Sequence, residues 1–221
     1  THHPSSAASD VYKRQAGLKV CSLNVRSLSC HIEDVKSDPV LLESHVLCLQ
    51  ETWMTPEEQD SLVYQLENFR GNFTCVGRGK GIAVYVRQEL CESEAYRYQE
   101  LCKEHLQIGK ISLNDVDIIN VYRSQEEPFY TMAHYLSEMI DLNKTSLIVG
   151  DFNYDAANET NEVSKYLSKQ QFKQLVTSPT HLGGHILDQA HLRQSLRKKN
   201  AEVKTFTPYY SDHDIITVIL R

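Results

Sequence analysis

The chain has 221 residues, of which 41% are hydrophobic, and its formal net charge at pH 7 is -6. This length and composition fit one globular domain with a sizeable core, and the negative charge excludes a uniformly basic nucleic-acid coat. A DNA or RNA substrate stays compatible, because carboxylates gathered at one site lower the total charge while a local basic patch attracts phosphate.

Residues 1–16 are small, polar and aperiodic, and we interpret them as a disordered leader, a cloning scar or an artefact of sequence assembly. Residues 17–221 are interpreted as the folded domain. Apolar runs are too short to span a bilayer, so no membrane partner is expected. The six cysteines lack metal-ligand spacing and are interpreted as reduced thiols in an intracellular compartment.

Strand-like and helix-like segments follow one another along the rest of the chain. The predicted strands cover residues 18–24, 45–50, 73–76, 82–87, 105–113, 116–122, 146–149, 201–207 and 215–220. The predicted helices cover residues 30–44, with a break near Asp38-Pro39, and residues 55–66, 128–142 and 159–174. Strands outnumber helices, and helices fall between blocks of strands, which predicts a layered α/β sandwich of two packed sheets.

A glycine-rich segment, Gly77-Arg78-Gly79-Lys80-Gly81, joins two of the predicted strands. It resembles a phosphate-binding loop only superficially, because no helix follows it. A hairpin loop is the better interpretation. Its Arg78 and Lys80 are candidates for contact with a nucleic-acid backbone outside the catalytic site.

Polar side chains stand at the ends of several strand-like runs. They are Asn24, Glu51, Asp151 and Asn153, with Asp212 and His213 just before the last strand. Sheets commonly build their sites at strand ends, so one shared site is expected. Phosphodiester hydrolysis needs a cation, an activated water and donors for the transition state, which these residue types supply. Mg²⁺ prefers such carboxylate and amide oxygens, whereas zinc favours His and Cys clusters.

Six short motifs carry a resemblance to a known family. They are Ser22-Leu23-Asn24-Val25-Arg26-Ser27-Leu28, Leu49-Gln50-Glu51-Thr52-Trp53, Val121-Tyr122-Arg123-Ser124, Gly150-Asp151-Phe152-Asn153, Leu187-Asp188 and Ser211-Asp212-His213. Their order resembles the endonuclease/exonuclease/phosphatase superfamily, and within it the apurinic-type endonuclease domains of non-LTR retrotransposons and helicase-linked mobile elements. The resemblance covers about residues 18–221 and implies a DNase I-like fold, a four-layer α/β sandwich of two mostly antiparallel sheets flanked by helices.

The resemblance also implies a role for each matching residue. Glu51 corresponds to the main metal ligand, assisted by Asn24 and Asp212, with Mg²⁺ as the expected cofactor and Mn²⁺ as its substitute. Asp151 corresponds to the residue that orients or deprotonates the attacking water, and Asn153 to an amide that holds the phosphate.

The remaining catalytic positions concern the phosphate itself. His213 corresponds to an imidazole that contacts the phosphate, and Asp188 to the acid that orients this imidazole. Tyr122 corresponds to a phenol near the scissile phosphate. Contacts with nucleic acid are expected from basic side chains: Arg26, Arg78, Lys80, Arg123, Arg197, Lys198 and Lys199. Arg26 stands where repair-type members carry an acid, which weakens an expectation of strict abasic-site specificity.

The function implied is a metal-dependent endonuclease that nicks DNA and leaves a 3′-hydroxyl end. A monomeric domain, a linked reverse transcriptase or helicase, and a nuclear location belong to this hypothesis. One alternative keeps the same centre for another phosphodiester, namely an RNA tail, a tyrosyl-DNA adduct or a phospholipid. Another is an inactive relative that only binds nucleic acid, although such a module has no need for Glu51 and Asp188 together.

Overall fold

The computed structural model describes residues 17–158, 160–195 and 200–221. The predicted leader at residues 1–16 lies outside the described residues. Strands in these ranges are β1 (Leu18–Asn24), β2 (Val46–Gln50), β3 (Phe69–Thr74), β4 (Ile82–Arg87), β5 (Arg97–Cys102), β6 (Leu106–Ser112), β7 (Val116–Arg123), β8 (Thr145–Asp151), β9 (Lys173–Gln174), β10 (Asp188–Arg193), β11 (Ala201–Phe206) and β12 (Ile215–Leu220).

These strands form two six-stranded sheets. The first sheet has the order β11-β12-β1-β2-β4-β3, and the second has the order β5-β6-β7-β8-β10-β9. Each sheet has one parallel pair, β1 with β2 and β7 with β8, and the other neighbours are antiparallel. The predicted mostly antiparallel pairing is therefore confirmed.

The helices are α1 (Leu28–Ser37), α2 (Pro39–Leu42), α3 (Gln88–Cys91), α4 (Phe129–Met139) and α5 (Glu162–Lys169). Helices α1, α2, α4 and α5 lie on the outer faces, and the short α3 packs its Leu90 into the core between the sheets. The predicted break near Asp38 is confirmed, because the Asp38 carboxylate caps α2 by accepting hydrogen bonds from Val40 N at 2.8 Å and Leu41 N at 3.3 Å. In the part of the chain that the structure describes, no helix has the length and apolar character needed to cross a membrane.

Strand side chains alternate between two hydrophobic environments, as the two-residue period of a strand requires. Val20 and Val46 of the first sheet pack with Ile118 and Val149 of the second, forming a core between the sheets. Outside the first sheet, buried side chains such as Leu23, Leu47 and Tyr85 pack with Ile32 and Val35 of α1. Outside the second sheet, Ile119, Val121 and Ile148 pack with Met132 and Leu136 of α4. The predicted four-layer sandwich is thus confirmed.

Several local elements differ from those predicted. The predicted helix over residues 159–174 ends at Lys169, with Lys173 and Gln174 in β9, and β10 was not predicted as a strand. The predicted helix over residues 55–66 is instead two 3-10 turns, Pro56–Glu58 and Leu62–Tyr64. Its start signal is real, because Thr55 and Glu58 form a capping box, but Leu62 and Val63 are 76% and 54% exposed, so no apolar face holds a longer helix. Strand β5 was not predicted at all, since its side chains are mostly exposed and give little hydrophobic signal.

Gly150 fixes how β8 reaches the site. Its φ is +139°, and a Cβ atom placed there would lie 1.9 Å from the carbonyl oxygen of Val121 on the neighbouring strand β7. No side chain fits this approach, so glycine is required immediately before Asp151.

We therefore expect Gly150→Ala to lower the free energy of unfolding by at least about 3 kcal/mol, because the backbone must move away from Val121. Gly184→Ala is the matched control: φ there is also positive, +80°, but no atom lies within 4 Å of the added Cβ. That substitution should cost only about 1 kcal/mol. Urea unfolding measures both, and equal losses would contradict the close approach.

Candidate active site

The side-chain amide of Asn24 joins the two sheets at one edge of the sandwich. Asn24 ends β1, Glu51 follows β2, and Asp151 ends β8 of the opposite sheet. The Asn24 Nδ2 atom donates to Glu51 Oε1 at 3.0 Å and to Asp151 Oδ2 at 2.9 Å. Two carboxylates from different sheets therefore meet at one buried amide, as the strand-end pattern predicts.

The hydrogen bonds of the Asn24 amide show which of its two polar atoms faces the acids. Asn24 Oδ1 accepts a hydrogen bond from the backbone N–H of Arg26 at 3.1 Å, so the oxygen faces away from the two acids. A metal ligand must present oxygen, whereas Asn24 presents its nitrogen. In this geometry the residue fits a bridging donor that positions Glu51 and Asp151, and its role as a metal ligand stays a prediction.

Glu51 is half-buried and sits in a turn with φ of +51°. Its Oε2 atom accepts a hydrogen bond from the indole Nε1 of Trp53 at 3.2 Å, while Oε1 accepts from Asn24. Each oxygen thus has one donor, and each keeps a lone pair for a further partner. This arrangement fits the predicted metal-ligand role of Glu51.

Asp151 is fully buried, with 1% of its surface exposed. Burial and the nearby charge of Asp188 raise the pKa of this carboxyl to about 7, although His213 acts in the opposite direction. Asn153 N donates to Asp151 Oδ1 at 2.9 Å, and Asn153 Nδ2 donates to the carbonyl of Arg123 at 2.8 Å. Asn153 therefore fixes the turn around Asp151, and its phosphate contact stays a prediction.

His213 and Asp188 form the orienting pair that the sequence predicted. His213 Nδ1 lies 2.8 Å from Asp188 Oδ2, and both side chains are buried. Burial disfavours the imidazolium, but the hydrogen bond and charge of Asp188 outweigh it and raise the pKa of His213 to about 9. Asp188 also pairs in register with Asp151 across β8 and β10, so the three side chains belong to one site.

Asp212 is held by cationic and imidazole groups. Arg26 Nη1 forms an ion pair with Asp212 Oδ2, and His181 Nε2 lies 3.4 Å from the same oxygen. Burial acts to raise the pKa of Asp212, but His213 and Arg26 outweigh it and lower the pKa. Asp212 is therefore charged at neutral pH, and its role as a metal ligand stays a prediction.

The sequence did not single out His181. Its ring packs against His213 with centroids 4.7 Å apart, and the two residues form an isolated β-bridge. The loop that carries it is tied to the site, because Leu182 N donates to the Asp212 carbonyl at 3.0 Å and Asp214 N to the Thr180 carbonyl at 2.7 Å. In the sequence His181 is visible only as the last residue of a loop, Ser178-Pro179-Thr180-His181, and a loop histidine carries no signal for a site.

Tyr122 lies beside the carboxylates, because it pairs in register with Asp151, and its place near the scissile phosphate stays a prediction. Burial, together with the charges of Glu51 and Asp151, raises the pKa of its phenol. The hydroxyl donates to the carbonyl of Gly79 at 3.0 Å, so it also holds the glycine-rich loop against the site.

The predicted nucleic-acid contacts divide into three groups. Arg26 and Arg78 are exposed, and Lys80 is half-buried with its Nζ 3.3 Å from Glu104 Oε1. Arg123 does not fit this role: its buried guanidinium donates to the carbonyls of Phe152 at 3.0 Å and Glu127 at 2.5 Å. The predicted contacts at Arg197, Lys198 and Lys199 lie outside the described residues.

The donor set fits a divalent cation. Asp151, Asp188 and His213 form one buried group whose ligand atoms lie within 4.8 Å of one another, and His181, Asp212 and His213 form a second. A protonated His213 offers no lone pair to a metal, so the carboxylates of these groups are the candidate donors. Asp188 Oδ1 and Asp212 Oδ1 are buried without hydrogen-bond partners among the described residues. Buried carboxylate oxygens without partners are costly, and a hard cation offsets that cost.

Comparisons with known proteins agree with this arrangement. A sequence model of the Endonuclease/Exonuclease/phosphatase family matches residues 21–213, and the chain therefore belongs to this family. Membership places it among hydrolases that act on phosphate esters. The predicted resemblance is confirmed.

Solved structures of low sequence identity share the fold. An AP endonuclease from Archaeoglobus fulgidus is 16% identical with a TM-score of 0.67, and the match covers 92% of this chain and 99% of that one. The 3′ phosphatase NExo from Neisseria, bound to a product DNA hairpin, is 14% identical with a TM-score of 0.68 over 92% and 99%. The endonuclease domain of TRAS1, a telomere-specific non-LTR retrotransposon, is 12% identical with a TM-score of 0.65 over 93% and 98%.

The bridging amide yields a stability prediction. Asn24→Ala should lower the free energy of unfolding in EDTA by about 1–3 kcal/mol, because buried Asp151 loses a donor. Asn24→Asp should cost more, since a further carboxylate then faces Glu51 and Asp151. Added Mn²⁺ should recover part of that loss.

Asn72→Asp is the control, because Asn72 lies on edge strand β3 and its amide donates to the Val84 carbonyl of β4, away from these acids. Thermal unfolding with EDTA and with Mn²⁺ measures each variant. If Asn24→Asp responds to Mn²⁺ no more than Asn72→Asp does, the acids at Asn24 do not form a cation site.

Proposed function

We propose that this protein is a divalent-cation-dependent phosphodiesterase that nicks DNA and leaves a 3′-hydroxyl end. One observation carries the proposal: Glu51 and Asp151 share the Asn24 amide while Asp188 holds His213 beside them. Together these groups provide a cation ligand, a base and a protonated imidazole, the three parts that hydrolysis of a phosphodiester requires.

Asp151 serves as the group that orients and deprotonates the attacking water. Its pKa of about 7 suits a base that works near neutral pH, because such a carboxylate is more basic than an exposed one. Its Oδ1 is fixed by the Asn153 backbone N–H, so the direction in which it accepts a proton is set before substrate binds.

His213 serves as the donor to the phosphate. With Nδ1 bound to Asp188, the imidazole is held in one orientation and Nε2 is left for a phosphate oxygen. Its raised pKa keeps it protonated at neutral pH, which favours the charge that develops on the phosphate. Mg²⁺ or Mn²⁺ held by Glu51, with Asp212 as a further ligand, would neutralise the non-bridging phosphate oxygens.

DNA as the substrate is supported by the neighbours of this fold, which include an AP endonuclease, a phosphatase bound to a DNA hairpin and a retrotransposon endonuclease domain. The likeness to TRAS1, together with Arg26 at the site, favours a mobile-element endonuclease. A linked reverse transcriptase or helicase, a nuclear location and a monomeric domain are parts of the same proposal.

A second candidate is processing of 3′ ends, as a phosphatase or exonuclease. It is favoured by the similarity to NExo, whose TM-score of 0.68 is close to those of the endonucleases. The same base and imidazole would serve both reactions, so only the substrate distinguishes them.

The test is incubation of purified protein with supercoiled plasmid, an abasic duplex, a 3′-phosphorylated duplex, single-stranded RNA and a phosphotyrosyl oligonucleotide, each with Mg²⁺ or EDTA. We expect Mg²⁺-dependent plasmid nicking, and a loss of at least about 10³-fold in Asp151→Ala and His213→Ala. His185→Ala is the control, since that half-exposed side chain pairs with Asp155 and has no place in the proposed chemistry. Equal nicking by the wild type and the two active-site variants would contradict the proposal, and preference for the 3′-phosphate would favour the second candidate.

The exposed arginines give a separate prediction about binding. In EDTA, Arg26→Met and Arg78→Met should each weaken duplex DNA binding and reduce the slope of log K against log salt by about 0.9, as expected for one lost phosphate contact. Arg221→Met is the control, because Arg221 follows the end of β12 that is remote from His213 and pairs with Glu202. An unchanged slope in either of the first two variants would remove that residue from the contact surface.

A further inference from the structure

The segment after β2, residues 51–53, has an unusual backbone conformation. Both Glu51 and Trp53 have positive φ, +51° and +59°. Residues with a Cβ atom rarely adopt this conformation, which costs on the order of 1 kcal/mol at each position and persists only where surrounding contacts hold it. Two such residues, separated only by Thr52, indicate that contacts with the rest of the protein stabilise this turn.

Hydrogen bonds on both sides hold this turn. Ser27 N donates to the Glu51 carbonyl at 2.8 Å, and Leu28 N to the Thr52 carbonyl at 2.9 Å. On the other side, Trp53 N donates to the Lys80 carbonyl at 2.9 Å. The start of α1 and the glycine-rich loop therefore clamp the turn between them.

The result of this turn is the contact between Trp53 and Glu51. The indole Nε1 donates to Glu51 Oε2 at 3.2 Å, and the opposite oxygen of the carboxylate is held by Asn24. The carboxylate thus has a donor on each side and is fixed in one plane. Donors that hold a ligand in this way raise the affinity of a site for its metal, because the ligand loses little freedom on binding.

The indole is itself held from outside. The guanidinium carbon of Arg78 lies 5.8 Å from the centre of the Trp53 ring, within the range of a cation–π contact. The ring of Trp53 is only half-buried, so packing in a hydrophobic core does not account for its position. Its one polar atom is instead used on the carboxylate.

We propose that Trp53 is a positioning residue, whose indole N–H holds the Glu51 carboxylate in the orientation that binds a divalent cation. This deepens the proposed function and rests on it, because it assigns a partner to the expected cation ligand. Phenylalanine at this position keeps a ring for Arg78 and loses the donor, so it separates positioning from packing.

Trp53 is the chain's single tryptophan, so its signals need no assignment. In the wild type, Mg²⁺ should shift the one indole N–H cross-peak of a ¹H–¹⁵N spectrum, and Glu51→Gln should abolish the shift. Mn²⁺ binding, followed by electron paramagnetic resonance, should weaken about tenfold in Trp53→Phe and less than about threefold in Arg78→Met. Circular dichroism and thermal unfolding confirm that each variant is folded.

The outcomes separate the two proposals. If the wild type binds Mn²⁺ but its indole signal does not respond to saturating Mg²⁺, or Trp53→Phe binds Mn²⁺ as the wild type does, Trp53 is not a positioning residue and the catalytic proposal stands. If the wild type binds no divalent cation, the cation site itself fails and the role of Trp53 fails with it. A loss of Mn²⁺ affinity in Trp53→Phe with the fold intact supports the inference.

Discussion

The site depends on one buried side-chain amide, that of Asn24, which donates hydrogen bonds to residues of both sheets. Asn24 is the last residue of β1 in the first sheet. Its Nδ2 atom donates to both Glu51 and Asp151, and Asp151 belongs to the opposite sheet. This contact requires that the parallel pairs β1–β2 and β7–β8 end at the same edge of the sandwich. It also requires Gly150, because any side chain there would push β8 away from β7 and carry Asp151 with it.

The electrostatics of the site support the proposed binding of a cation and a phosphate. Asp151, Asp188 and Asp212 surround one imidazole, and burial makes their mutual repulsion expensive. His213 and Arg26 offset part of this charge within the protein. The remaining negative charge favours a bound cation. Burial and the charge of Asp188 raise the pKa of Asp151, whereas burial acts to lower the pKa of His213 and is outweighed by Asp188.

Much of the fold, and the convergence of several polar strand-end residues, could be predicted from the sequence. Asn24, Glu51 and Asp151 each follow a short apolar run, and strand ends bring such residues together. What could not be predicted depends on neighbours distant in sequence. The Asn24 amide is turned by the Arg26 backbone, Arg123 is buried among carbonyls, and His181 reaches His213 through a loop. Strand β5 was missed because an exposed edge strand carries few apolar side chains.

The most direct test of the shared site is anomalous diffraction from crystals soaked in Mn²⁺. A peak about 2.1 Å from a carboxylate oxygen of Glu51, on the side of Asp151 and His213, is the predicted result, and it should vanish in Glu51→Gln. An ion bound elsewhere, with Glu51 and Asp151 still joined through Asn24, would contradict the account.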